Sequence, residues 1–452
     1  MADDLAGLGL VDAAKAIRDG RITSLDLANA CLDRITTLEF DVQAWAHLDP
    51  EHARKQARDA DGQRRTGRDI GPLHGVPIGV KDIFDTKDMP TEDGSVLHAG
   101  RTPGQDASCV AALRQAGAVI MGKTVTTEFA GYSPGKTRNP HNKDHTPGGS
   151  SSGSAAAVAS FMVPGSIGSQ TTGSVIHPAS FCGVYGYKPT HGLISRHRVL
   201  QLSRMLDHVG LFARSLPDLA VLAETMMVFD DRDPDMVPIA APRLADHVVQ
   251  TPPAMPRIGF VKAPSWDLAT DDVEGGFEEL CGVLGDRVVP IQLPSAFETG
   301  MIWKNTIMRA EMALNFEAEY KRRAEGMSDK VIEELEGGMK LTAFDYLQAR
   351  EGVTALQAMM GEIFAEVDAV MCPSATGEAP EGLGATGNPS FATLWTLLGV
   401  PALSLPLLHG SHGLPIGVQL IGPRLGDAHL MRTASWLVET INGQAEVSGE
   451  TS

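Results

Sequence analysis

Two stretches of this 452-residue chain carry residues of the right type and spacing for nucleophilic chemistry. The first, Pro147 to Pro178, reads PGGSSSGSAAAVASFMVPGSIGSQTTGSVIHP and holds two Gly/Ser-rich turns around a small-residue helix pattern. Gly148, Gly149 and Gly153 bracket Ser150, Ser151 and Ser152. A glycine-rich turn that runs into a helix leaves backbone N–H groups unpaired beside short hydroxyls, which suits binding or attacking something electron-rich. A flexible linker has the same composition, but the run continues into SAAAVA, whose helix propensity and small side chains fit a buried, closely packed helix. The second stretch is GVPIGVKD, where Val76, Ile78 and Val80 alternate as a strand does before Lys81 and Asp82. Most strand-end lysines are solvated charges, whereas one buried there loses preference for its ammonium form. Lys123, after the apolar run Ala118 to Met121, is a rival whose neighbours place it at the surface or behind the site.

Three mechanisms compete for the serines. Gly149 to Gly153 matches G-x-S-x-G, but that nucleophile elbow needs a strand immediately before it, and NPHNKDHTPG cannot form one. A phosphate-binding loop would need a lysine after its glycines, where this chain has Ser154 and Ala155. A serine activated by a lysine remains.

GVPIGVKD, GKTVTTEFA, PGGSSSGSAAAVA, GSQTTGSVIHPASFCGVYGYKPTHG and LPIGVQLIG together resemble the amidase signature family of serine amidohydrolases, from about Leu25 to Val438 and most strongly from Leu73 to Gly192. The resemblance implies a Ser, cis-Ser, Lys triad: Ser174 as nucleophile, Ser150 as the bridging serine and Lys81 as base. The two serines stand 24 residues apart, as in the family. It also implies an oxyanion hole from the backbone N–H groups of Thr171, Thr172, Gly173 and Ser174, with Gly149, Ser151, His177 and Trp395 behind the site or on the substrate, and no metal or cofactor. The chain departs from the family pattern at Thr172, where a second glycine is usual, and at His177, where an arginine is common. Losing that arginine removes a fixed cation and turns the expectation away from carboxylate-bearing substrates, toward a neutral amide, anilide or carbamate. His177 reads as a hydrogen-bonded residue behind the triad rather than a base, and Trp395, Phe391 and the methionines as pocket or core.

These residues need elements to hold them. Up to about residue 60 the chain reads as a helical lead-in with Thr23 or Ser24 as a cap, and 61–452 as one amidase domain whose catalytic core spans about 71–215. Asp106 reads as the cap of a helix that ends at Gly117, Val184 to Tyr187 as a strand, and Ser215 as a further cap. The Pro-rich segment 230–256 reads as a surface excursion, and residues from about Met301 to Ala365 as long helices. RIGFV, VDAVMCPS, VPALSLPL and PIGVQLIG read as strands and Asp427 to Thr440 as a helix. The expected fold is α/β, a single large domain with a mixed β-sheet covered by helices on both faces.

Composition narrows the partners. A net charge of −18 opposes nucleic acid and anionic membrane, leaving a small-molecule amide or carbamate and, as an assembly, a homodimer. Asp3 and Asp4 stand where a secretory signal would be basic and no run is long enough to span a membrane, so the expectation is cytoplasmic. Five scattered cysteines show no metal or redox spacing and read as buried thiols. Besides a hydrolase working through an acyl-enzyme on Ser174, two readings stay open: the amidase-type subunit of an aminoacyl-tRNA amidotransferase, and a non-catalytic binding protein of the same fold.

Overall fold

The computed structural model describes residues 5–67, 70–322 and 326–448, without the side chains of 444–448; Asp3 and Asp4 lie outside the described residues. Eleven strands form one mixed sheet: β1 (Trp45–Leu48), β2 (Pro77–Lys81), β3 (Val119–Thr124), β4 (Gly165–Gln170), β5 (Tyr185–Lys188), β6 (His208–Ala213), β7 (Ile258–Val261), β8 (Val288–Ile291), β9 (Ala369–Pro373), β10 (Ala402–His409) and β11 (Pro415–Ile421). Their spatial order is β1-β3-β2-β4-β6-β5-β10-β11-β9-β7-β8. Every residue of β2, β3, β4, β6, β9 and β11 is buried, so helices cover both faces of the sheet and the fold is α/β in a single domain. No described helix is long and apolar enough to cross a membrane.

Parallel pairing of β2 with β3 and β4 sets the ends of β2 and β4 side by side in the interior of the sheet. β4 is GSIGSQ, with Ile167 its one large apolar residue. It nevertheless forms a central strand, because the Ser152–Ala159 helix lies close against it and small side chains are what fit between them. Their hydroxyls are absorbed locally: Ser154 Oγ donates to the Ile167 carbonyl at 2.9 Å and Ser166 Oγ to the Ser154 carbonyl at 2.8 Å. Gly153 is required by the same approach, since a Cβ there would lie 2.2 Å from the Ala44 carbonyl oxygen.

The N-terminal segment is not wholly helical. After the Leu10–Arg18 and Ser24–Val42 helices, β1 pairs antiparallel with β3 and forms one edge of the sheet. Thr23 caps the second helix in a reciprocal box with Asp26, and Ser215 caps the Leu216–Met226 helix. Asp106 does not cap the Ser108–Gln115 helix: Ala107 holds that position, and Asp106 instead accepts from the Lys87 N–H. The strand expected at Val184–Tyr187 runs one residue later. Cys31, Cys109, Cys182 and Cys372 are buried free thiols, and Cys281 is half-buried.

Candidate active site

Lys81, the last residue of β2, is fully buried, and its Nζ lies 2.7 Å from Ser150 Oγ, 3.0 Å from Ser151 Oγ and 2.8 Å from Ser169 Oγ. Ser169 comes from neighbouring β4, while Ser150 and Ser151 come from the turn that enters the Ser152–Ala159 helix. Ser151 Oγ accepts the Ser169 N–H at 3.2 Å, which ties turn to strand, and Gly168 permits it because a Cβ there would stand 2.6 Å from that oxygen. The Gly149–Ser150 peptide is cis.

Burial drives the Lys81 amine well below the usual lysine range, and the Asp207 carboxylate opposes the shift without reversing it. A neutral amine has two N–H donors and one lone pair, so facing three hydroxyls it must accept from one of them. Ser151 can spend its proton on the Ser169 carbonyl at 3.1 Å, whereas the Ser150 and Ser169 hydroxyls have no partner besides Lys81 among the described residues. Ser150, which unlike Ser169 lines a pocket with Ser174, is the one placed to pass a proton between that pocket and the lysine.

Ser174 is half-buried and lines a narrow pocket of about 20 Å³ with Gly149, Ser150, Thr171, Thr172, Tyr132 and Met308. Its hydroxyl makes no hydrogen bond among the described residues, to Ser150 or to any other group, so the second contact of a Lys81–Ser150–Ser174 relay is open in this conformation. Catalytic hydrogen bonds in unliganded enzymes are commonly long and tighten with substrate.

The turn before Ser174 is held from three directions. Gln170, at the end of β4, accepts the Val175 and Ile176 N–H groups on its side-chain oxygen at 2.8 and 3.0 Å and donates to Thr396 Oγ1 at 2.9 Å. Thr396 Oγ1 in turn donates to the Thr172 carbonyl at 2.6 Å. On the other flank Thr171 Oγ1 donates to Asp207 at 2.6 Å, and the second Asp207 oxygen accepts the Leu202 and Ser203 N–H groups. The N–H groups of Thr171, Thr172, Gly173 and Ser174 make no turn or loop hydrogen bond among the described residues. Successive free N–H groups fixed beside a serine can receive a developing oxyanion.

Gln170, Asp207, Thr396 and Ser169 escaped the sequence reading. Gln170 had a local signal, an amide four residues before Ser174 at the mouth of a helix, while Asp207 and Thr396 reach the turn only through the tertiary fold. Burial pushes the Asp207 carboxyl up to about 6.

Other expected residues fall elsewhere. Trp395 does not line the pocket; it is fully buried and its indole N–H faces Cys372 Sγ at 3.3 Å, because its helix turns that side into the core, where Phe391 also sits. Met308 and Met312 do line the pocket, and the Thr172 hydroxyl points at Met308 Sδ, 3.7 Å away. Lys123 is not at the surface: it is fully buried, ion-paired with Asp82 at 3.2 Å and bonded to Thr91 Oγ1 and the Phe84 and Pro90 carbonyls. Gly149 lies against Thr386, whose Cγ2 would be 2.6 Å from an added Cβ.

His177 is fully buried beside the Gly149 backbone, edge-on to Phe181 at 4.5 Å, and neither ring nitrogen has a hydrogen bond of good geometry. Burial lowers its pKa to about 4. The unfolded chain then binds a proton that the folded chain does not, so stability is lost as pH falls from about 6.5 toward 4, by about 3 kcal/mol in all. Urea unfolding at pH 7.5 and at pH 4.5 should show His177→Phe losing less stability on acidification than the wild type; equal losses would mean the imidazole takes a proton in the folded state.

The amidase family profile matches residues 26–431. The chain belongs to the amidase family. Among its relatives, a glutamyl-tRNA(Gln) amidotransferase subunit of Chloroflexus aurantiacus is 33% identical over 467 residues, covering 95% of this amidase and 96% of the relative. The peptide amidase of Stenotrophomonas maltophilia superposes with a TM-score of 0.84 at 28% identity, covering 97% of each chain. A structure described as a vestigial protein complex bearing on the origins of an s-triazine catabolic enzyme superposes with a TM-score of 0.89 at 28% identity, covering 96% of this chain and 98% of that one. As a member of this family the protein is an amidase, a hydrolase of C–N bonds.

Proposed function

We propose that this amidase cleaves the C–N bond of a small amide through an acyl-enzyme on Ser174, with Lys81 acting as base through Ser150. The observation that carries this reading is the buried Lys81 amine, its ammonium form disfavoured by burial, set 2.7 Å from a serine that shares a pocket with Ser174. A serine hydroxyl is a weak nucleophile, and a lysine can activate it only when neutral. Lys81 takes the Ser150 proton, Ser150 takes the Ser174 proton, and Ser174 Oγ bonds to the carbonyl carbon. The resulting oxyanion lies against the free N–H groups of the 171–174 turn. Ser150 then protonates the departing nitrogen as the C–N bond breaks, and water repeats the sequence on the ester to release the acid and restore Ser174.

Small aryl amides, anilides and aryl carbamates all present carbonyls this arrangement can attack. A fluorophosphonate should add to Ser174, read as a mass increase on the peptide that contains it. A panel of p-nitroanilides, aryl amides and aryl carbamates then ranks substrates. No adduct at Ser174 would overturn the hydrolase reading and support a binding protein of the same fold.

The likeness to an amidotransferase subunit over 95% of the chain supports a second reading, in which the same chemistry releases ammonia from glutamine within a larger assembly. A chain that takes the label yet is inert on every amide alone, and gains glutaminase activity only with partner subunits, would favour it.

A further inference from the structure

Among the described residues, four lysines are almost completely buried: Lys81, Lys123, Lys188 and Lys304. Three have acceptors that account for them. Lys81 meets three hydroxyls, Lys123 has Asp82 with two carbonyls and a hydroxyl, and Lys188 donates to the Val400 and Pro189 carbonyls. Lys304, on the Ala296–Asn315 helix, is 1% exposed, and its Nζ has only Met308 Sδ at 3.1 Å and the Tyr132 hydroxyl at 3.5 Å. No described carboxylate pairs with it. A thioether and a distant phenol are weak acceptors for an ammonium, and a buried charge without a counter-charge is costly.

Both of its neighbours line the pocket that holds Ser150 and Ser174. We propose that Lys304, together with Tyr132, recognises a carboxylate carried by the substrate, so that this amidase acts on amides bearing a second, anionic group. The ammonium supplies the charge, and the phenol, oriented by the ammonium toward accepting from it, turns its own proton to the pocket as a second donor. Met308, unbranched and rotatable, is the side chain that yields when the anion approaches. The proposal rests on Ser174 being the acylated residue, and it reverses the expectation drawn from His177: the arginine is missing, yet a cation from a different helix stands directly behind two residues of the pocket wall.

Matched p-nitroanilides of butanoic acid and of succinic acid, the latter with its free carboxylate, form the test, together with the glutaric homologue. Wild type should favour a carboxylate-bearing member over its neutral match by about tenfold or more in kcat/KM. Lys304→Met should bring that ratio close to one, and Lys304→Arg should retain part of it. Independently of turnover, succinate or glutarate should slow fluorophosphonate labelling of Ser174 in the wild type and much less in Lys304→Met. Absence of both the preference and the protection in wild type, or equal losses by Lys304→Met on charged and neutral substrates, would overturn the proposal while leaving the labelled Ser174 in place. Failure of labelling itself would instead remove the hydrolase reading beneath it.

Discussion

Lys81→Ala should lower acylation of Ser174 by about a thousandfold, measured as the rate of fluorophosphonate labelling and as p-nitroaniline release. The reason is specific to the environment of this amine. Its pKa is depressed chiefly by burial, so the base-competent neutral form appears as pH rises through that lowered value and is lost as pH falls through it. Wild-type kcat/KM should therefore climb with pH and level off well below the ordinary lysine range, and the alanine variant should lack that limb altogether. The three serines around the amine remain in the variant, so retained structure can be checked by circular dichroism alongside the rate. A variant that kept half the wild-type rate would show that Lys81 is not the base.

The second large effect is expected at Gln170, which touches neither Lys81 nor the pocket. Gln170→Leu removes the acceptor for the Val175 and Ile176 N–H groups and the donor to Thr396, whose hydroxyl holds the Thr172 carbonyl. The turn that carries Ser174 then loses two of its anchors, and kcat should fall by about a hundredfold, the scale of losing a fixed oxyanion donor. Unpaired buried N–H groups should also cost about 2–3 kcal/mol of stability, seen as a lower urea midpoint. Thr396→Val should show the rate effect with a smaller stability loss, because it leaves the Gln170 contacts to the helix intact. If kcat stayed within twofold while KM rose, the clamp would serve substrate binding and not the oxyanion turn.

How much of this was legible beforehand follows from what each residue has to do. Lys81 could be singled out because an alternating apolar strand ends on it, and the glycines flanking Ser150 mark a turn that side chains larger than hydrogen would obstruct. β4 was invisible for the complementary reason: GSIGSQ has no apolar alternation, since its neighbours across the face are a helix pressed close and a set of serines that satisfy one another. β1, of four residues, is too short to carry a period. Trp395 could be read from the sequence as either pocket wall or core, and the helix that bears it turns it into the core toward Cys372. Lys123 and Lys304 could not be read as buried from their neighbours in the chain, because what surrounds them comes from segments far away in sequence.

The hydrogen bonds that assemble the site differ in reach, and this has a bearing on synthesis. Lys81 meets Ser150 and Ser169 across 69 and 88 residues, whereas Gln170 meets Thr396 across 226. A nascent chain released through about residue 215 would contain every group of the proposed relay and still lack the hydroxyl that steadies the turn beside the nucleophile. Hydrolytic competence should therefore arrive late, when the C-terminal half has emerged from the ribosome and docked, so the cell is not exposed to an active half-made enzyme.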